Sequence, residues 1–244
     1  MSKGLVCFDM DGVLVDWLSS WEWVYSKLNL SNAESMELYK SGNLTEWKWL
    51  IRDLSLIRGA LNEDMKDERL RELLHDCPLM KGYETAIQSL LANNFEVAII
   101  SGGMQQVAYK IASKFPSKDS WKKRWGGMDR KISFEEMGGF DSRLHVFCNG
   151  WCSDENGDIY DTGRYNVQMN AKDTIVNMLQ RRLNIPILST ASVGDSRGDV
   201  SMFNVSDFSV AFNPLDEEVT KHSDVCIRTK DLELVSDAII NHFS

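Results

Sequence analysis

The sequence predicts an α/β protein built on a mainly parallel sheet with helices on both faces. Short apolar runs at 5–8, 95–100 and 190–194 alternate with stretches of helical periodicity, the pattern of repeated βα units. Several of these runs stop abruptly at Gly and polar residues, as strands do when they reach a loop. The chain of 244 residues, 43% hydrophobic and 26% charged, is long enough for one large core with a small accessory unit.

The first strand is expected at 5–8, ending in carboxylates and Gly12. From Asp16 to about Pro78 the pattern is helical. Trp17, Trp21, Val24 and Leu28 recur at helical spacing, as do Trp47, Ile51, Leu54 and Ile57, with a break at 41–43 and a further helix over 62–77. The expected division is therefore a main domain of residues 1–15 and 79–244, with residues 16–78 as a separate helical unit. A helix at 84–93, a strand at 95–100 and a helix at 105–115 follow. Residues 116–142 are polar and irregular, with a basic stretch at Lys122, Lys123 and Arg124. Two short strands, 144–152 and 159–163, flank a turn at 154–157. A helix over 172–183, a strand at 190–194, a helix through Met202, strands at 208–212 and 225–227 and a terminal helix complete the chain.

Composition excludes some functions. A formal net charge of −9 argues against a nucleic-acid surface, which needs clustered Lys and Arg. No apolar run reaches the ~18 residues of a membrane helix. The stretch before Asp9 is too short for a signal peptide, so a cytoplasmic protein is expected. The five cysteines are scattered and contain no CxxC pair, which points to neither a zinc knuckle nor a disulfide framework. The four histidines form no ligand pair either.

Four polar clusters fall at expected strand ends or nearby loops, where ligands bind in open parallel sheets: Asp9 to Gly12, Ser101 to Gly103, Lys172, and Gly194 to Asp199. Each alone has an ordinary explanation as a turn, a helix cap or a surface charge. Residues two apart on an extended segment point the same way, so Asp9 and Asp11 can share a pocket. A carboxylate is ionised at neutral pH, and Asp9 can attack without a base; a divalent cation would offset its repulsion from phosphate. Two like charges ~4 Å apart at an effective dielectric near 20 repel by about 4 kcal/mol, which favours a protonated Asp11 as acid and then base. Ser101, Gly102 and Gly103 suit phosphate oxygens, Lys172 suits a transferring phosphoryl group, and Asp195 suits an oxygen-rich Mg²⁺ site with Asp9 and Asp11, the latter through its backbone carbonyl. Asp199 is expected as a ligand or as a partner of Lys172.

Taken together, DxDG at Asp9, hydroxyl-Gly-Gly at Ser101, Lys172 and GDxxxD at Gly194 resemble the motifs of the haloacid dehalogenase superfamily of phosphatases, and most of all its phosphoserine phosphatase branch. The resemblance implies a three-layer Rossmann-like core and a type I helical cap over 16–78. It implies Asp9 as nucleophile, Asp11 as general acid and base, Ser101 and Lys172 as phosphate binders, and Mg²⁺ held with Asp195. That branch holds the substrate's amino group with a cap Glu and its carboxylate with a cap Arg. Leu18 stands at the expected Glu position, with Glu22 one turn later, and Arg52 lies near the Arg spacing, making Glu22 and Arg52 substrate-binding candidates.

Trp17, Trp21 and Trp47 are expected to form the helical unit's own core, because so small a unit needs large side chains to hold together. Trp23 and Trp49 fall on other faces, open to substrate, solvent or a second copy in a homodimer. The resulting expectation is a phosphatase for a small phosphorylated metabolite, phosphoserine first, with no nucleic-acid or membrane partner. The alternatives are another metabolite phosphatase (sugar phosphate, nucleotide or phosphoglycolate-like), a phosphotransferase to an alcohol, or a silent binding module.

Overall fold

A computed structural model describes residues 2–116 and 140–244. Its centre is a seven-stranded sheet of order β4-β3-β2-β1-β5-β6-β7, with β1 Gly4–Phe8, β2 Phe95–Met104, β3 Leu144–Ser153, β4 Ile159–Arg164, β5 Thr190–Gly194, β6 Phe208–Phe212 and β7 Val225–Ile227. All neighbours run parallel except β4, which returns antiparallel to β3. The order reverses beside β1, the place where ligands collect in such sheets.

The pleat of β1 sorts the core. Val6 and Phe8 face a cluster containing Ile87 and Leu90 of α5 (Tyr83–Ala92), Val107 and Ile111 of α6 (Gln105–Ala112), and Val235 and Ile239 of α10 (Glu233–His242). Leu5 and Cys7 face a second cluster with Val176 and Leu179 of α7 (Asp173–Leu183), Met202 of α8 (Val200–Phe203) and Val219 of α9 (Glu217–Lys221). Alternate side chains thus bury against opposite helix layers, giving a three-layer α/β fold. The buried thiol of Cys7 behaves as the small apolar residue expected there, and all five cysteines are free.

Between β1 and α5 lie α1 (Ser20–Leu28), α2 (Ala33–Lys40), α3 (Glu46–Leu61) and α4 (Asp67–His75). The expectation of a helix from Asp16 is corrected: α1 starts at Ser20, where Ser19 Oγ accepts from Trp21 N at 3.2 Å as an N-cap. Asn29 in the left-handed region (φ 53°) closes α1 and separates it from α2, a break that hydrophobic periodicity does not signal. The single helix expected over 62–77 is likewise split, because Asn62 leaves the helical region and α4 begins only at Asp67.

These boundaries change the tryptophans. Trp17 precedes α1 and is 41% exposed, packing edge-on against Trp23, and Trp47 is 37% exposed. The buried stripe of α3 is Leu50, Asp53, Leu54 and Ile57, and Trp47, in the helix's first turn, lies against Tyr165 with its ring centroid 6.0 Å away. The helical block packs onto the β3–β4 hairpin: Trp151 Nε1 donates to Asp67 Oδ1 at 2.7 Å, and Arg58 Nη2 to Ile159 O at 2.7 Å. Among the described residues no helix is long and apolar enough to cross a membrane. The basic stretch of residues 122–124 lies outside the described residues.

Candidate active site

β1, β2 and β5 are adjacent, so their carboxyl ends bring Asp9, Ser101 and Asp195 to one place. Lys172, at the N-terminus of α7, reaches in from the side. Its Nζ donates to Asp9 Oδ1 at 2.8 Å and to Asp199 Oδ1 at 2.6 Å, and all three residues are buried. Asp199 spends its other oxygen on its own turn, with Oδ2 accepting from Asp195 N at 3.0 Å and Ser196 N at 3.1 Å. Both its oxygens are therefore engaged, and they fix Lys172 and the Asp195 loop in place.

One glycine is sterically required. Gly12 has φ 78°, and a Cβ there would collide with the Asp195 carboxylate, so the DxDG turn passes close over the second acidic loop. Asp11 Oδ2 accepts from Ser20 Oγ at 3.0 Å, while its Oδ1 is buried and has no hydrogen-bond partner. Ser20 Oγ accepts in turn from Met104 N at 2.8 Å, and Trp21 Nε1 donates to Gly102 O at 3.1 Å. The first turn of α1 is thereby bonded to both the Asp11 and the Ser101 segments.

Ser101 differs from its expected setting. β2 continues through Met104 with an irregular register against β3, so Ser101 to Gly103 form the strand's distorted end and not a loop before a helix. Within that end Gly103 N donates to Ser101 Oγ at 3.1 Å.

The electrostatics follow from packing four carboxylates around one ammonium. Burial raises the proton affinity of Asp9, opposed by Lys172 and reinforced by Asp199. Asp11 is pushed up to about 7 by burial and then by Asp9. Asp195 is raised by burial, then by Asp9 and Asp199. Burial lowers the proton affinity of Lys172, but Asp199 and Asp9 outweigh it and hold the ammonium charged. One ligand atom from each of Asp9, Asp195 and Asp199 lies within 4.8 Å of the others, so the group has the donors and the charge deficit that a hard cation would satisfy.

A cavity of about 670 Å³ opens from this cluster to the helical block. Glu22 lines it; Arg52 does not. The Arg52 guanidinium is turned to α2, where Nη2 meets Glu34 Oε1 at 3.1 Å and Nε donates to Ser35 Oγ at 3.2 Å. Trp21 and Trp49 are cavity walls, so Trp21 serves the pocket as well as the packing of the block. Sequence reasoning missed Ser20, Glu46, Asp53 and Asn149. Asn149 Oδ1 accepts from Asn166 N at 2.8 Å and Val167 N at 2.9 Å, bracing the loop ahead of Lys172. Only the Ser19-Ser20 pair before an amphipathic run carried a signal, as a helix start.

The family of haloacid dehalogenase-like hydrolases matches residues 148–239. A phosphoserine phosphatase from Methanocaldococcus jannaschii is 26% identical, covering 94% of this chain and 94% of that protein. One from Lactococcus lactis is 26% identical over 86% of this chain and 84% of its own. A solved phosphoserine phosphatase in apo form superposes with TM-score 0.68 at 21% identity, over 96% of this chain and 98% of the other. The family match and these relatives support a phosphomonoester hydrolase of the α/β class, with the acidic cluster at the strand tips. Over residues 148–239 the chain is similar to haloacid dehalogenase-like hydrolases, and over nearly its whole length it is similar in sequence to phosphoserine phosphatases and shares their fold.

Proposed function

We propose that the chain hydrolyses a small phosphomonoester, phosphoserine being the leading candidate, with Mg²⁺ and through an aspartyl-phosphate on Asp9. The observation that carries this reading is the buried Asp9 carboxylate held by Lys172 between the loops of Asp11 and Asp195. An Asp9 oxygen forms a bond to phosphorus as the ester P–O bond breaks, and protonated Asp11 gives its proton to the leaving oxygen. Water then attacks phosphorus, Asp11 takes a proton from it, and the bond to Asp9 breaks, restoring the carboxylate. A value of about 7 suits Asp11 to both directions, since both protonation states are populated near neutrality. Lys172 and Ser101 would orient the phosphoryl oxygens. Asp9, Asp195 and the backbone carbonyl of Asp11 would hold Mg²⁺, which supplies charge neutralisation to the phosphoryl group when bound.

Residues 16–78 would act as a cap over residues 1–15 and 79–244, closing the reaction off from water. Glu22 on the cavity wall is consistent with a substrate amino group. Arg52, paired with Glu34, is left out of this reading, and among the described residues Lys40 is the cation lining the cap side of the cavity. A cytoplasmic location fits a small-metabolite substrate.

Phosphate release from phosphoserine, phosphothreonine, sugar phosphates and nucleotides tests the proposal. We expect Mg²⁺-dependent turnover of at least one, abolished by chelation and reduced about 10⁴-fold or more by Asp9→Asn in protein that still melts cooperatively. Equal, slow release by wild type and Asp9→Asn would sink it. Adding excess free serine or another alcohol separates hydrolysis from phosphotransfer by product.

A further inference from the structure

The first residue of α1 reaches the reacting groups from the helical block. Ser20 is fully buried, and its Oγ donates to Asp11 Oδ2 at 3.0 Å while accepting from Met104 N at 2.8 Å. An amide nitrogen only donates, so the Met104 bond occupies a lone pair of the hydroxyl, and Asp11 Oδ2 takes the hydroxyl hydrogen. The Ser20 backbone N–H is a second hold on the same carboxyl. Gly103 shows how close this junction is, since a Cβ there would collide with Asp11 Oδ2 and stand 2.8 Å from Ser20 Oγ.

Helix formation does not require this hydroxyl. The N-cap of α1 is Ser19, whose Oγ accepts from Trp21 N at 3.2 Å, and Trp21 Nε1 ties the same turn to β2 by donating to Gly102 O at 3.1 Å. What the Ser20 hydroxyl adds is a fixed bridge from Met104, the last residue of β2, to one oxygen of Asp11. Asp11 lines the cavity where the leaving oxygen would stand. Proton transfer demands a donor within hydrogen-bond reach of that oxygen, and a small misplacement of the donor is costly.

We infer that Ser20 is a positioning residue for the reaction, its hydroxyl holding the Asp11 carboxyl in the orientation from which a proton passes to the leaving oxygen. This rests on the hydrolase reading above. As the ester P–O bond breaks, the Asp11 O–H bond breaks with it; the proton goes to the leaving oxygen and the electron pair stays on Asp11. The Ser20 hydroxyl then donates to a carboxylate, a charge-assisted bond that is stronger than the one it made to the neutral acid. The hydroxyl therefore gains strength as the proton leaves, the condition for an interaction to lower the barrier. Because Ser20 opens α1, the acid is aligned only while the start of the helical block is seated on β2.

The test uses 4-nitrophenyl, 4-chlorophenyl, phenyl and 4-methylphenyl phosphate with Mg²⁺, esters of similar shape whose leaving oxygens differ in their need for a proton. Ser20→Ala keeps the backbone N–H and the Trp21 anchor, so only the hydroxyl is lost. It should lower kcat/KM for phenyl phosphate about 10-fold more than for 4-nitrophenyl phosphate, the factor for one hydrogen bond to a charged group. Ser19→Ala, which weakens the same helix start without touching Asp11, should keep the wild-type ratio. With Asp11→Asn there is no carboxyl to position, so adding Ser20→Ala should change the ratio by less than about 2-fold. An equal loss across the series, the same change in Ser19→Ala, or a full Ser20→Ala effect in the Asp11→Asn background overturns the inference and leaves the hydrolase intact. If wild type acts on no aryl ester, the ratio is taken between a monoester it does hydrolyse and acetyl phosphate, whose acetate leaves unprotonated. No turnover of any of these ends the hydrolase reading, and the role of Ser20 with it.

Discussion

At the strand tips, Lys172 Nζ sits between two carboxylates at 2.8 and 2.6 Å, and Asp199 spends both oxygens on fixed partners. On the helical wall facing them, Asp53 is almost as deeply buried, and the groups bonded to it are the neutral side chains of Tyr25, Asn32 and Trp49. Lys172 offsets only part of the charge of Asp9, Asp11, Asp195 and Asp199, so the strand tips are fixed in geometry but still short of positive charge. One cavity thus holds a carboxylate cluster built around a buried ammonium and a single buried carboxylate set among neutral groups.

Removing the buried ammonium should have the largest effect. Lys172→Met leaves Asp9 and Asp199 buried without their common counter-ion, so turnover should fall about 10³-fold. Stability should fall by roughly 3–5 kcal/mol at pH 7, measured by urea melts beside steady-state kinetics. A loss of activity with no loss of stability would mean that the strand-tip cluster is not balanced by Lys172.

The opposite sign is expected on the helical wall. The Asp53 carboxyl lies at about 6 in the fold against an ordinary 3.8, so the folded state holds its proton more tightly than the unfolded chain does. Stability conferred by this group is present below pH 3.8 and is lost as pH rises through about 6. Its ionised form costs up to about 3 kcal/mol above that range. Asp53→Asn should accordingly stabilise the ligand-free protein by about 2 kcal/mol at pH 8 and little at pH 4, as checked by denaturant melts at pH 4, 6 and 8. A destabilised Asn variant at pH 8 would show that Tyr25, Asn32 and Trp49 hold the ionised carboxylate well enough to offset its burial.

The smallest effect is expected where the two regions are joined. Glu46 ties the start of α3 to Tyr165 and to the Met169 amide on the main domain. Glu46→Gln should raise KM about 5-fold and cost about 1 kcal/mol, with kcat changed less, if this link only holds the helical block in place. A fall in kcat with unchanged KM would instead place Glu46 in the reaction.

The contrast also explains which residues could be read without a structure. Asp9, Asp11, Ser101, Lys172, Asp195 and Asp199 follow apolar runs or start a helix, and a strand end delivers its next residues to the sheet's carboxyl edge wherever the strand lies. Strand order was implied only loosely, and the path of Ser101 to Gly103 through a distorted strand end was not implied at all. The helical wall gave no comparable signal. A shift of the α1 start from Asp16 to Ser20 moves Trp17 out of the helix, while Trp47 sits exposed in the first turn of α3 and Asp53 further along is buried.

The amino-acid order by itself determined the alternation of strands and helices and the residues that meet at the strand tips, because both depend on short-range pattern and on one rule of sheet geometry. Tertiary structure alone decided that Arg52 turns to Glu34, that Ser20 and Trp21 bond to the Asp11 and Ser101 segments, and that Asp53 faces the cavity. Those outcomes depend on helix phase and on contacts between segments far apart in the chain. A change of one residue in phase rotates a helical side chain by about 100° and sends it to another neighbour.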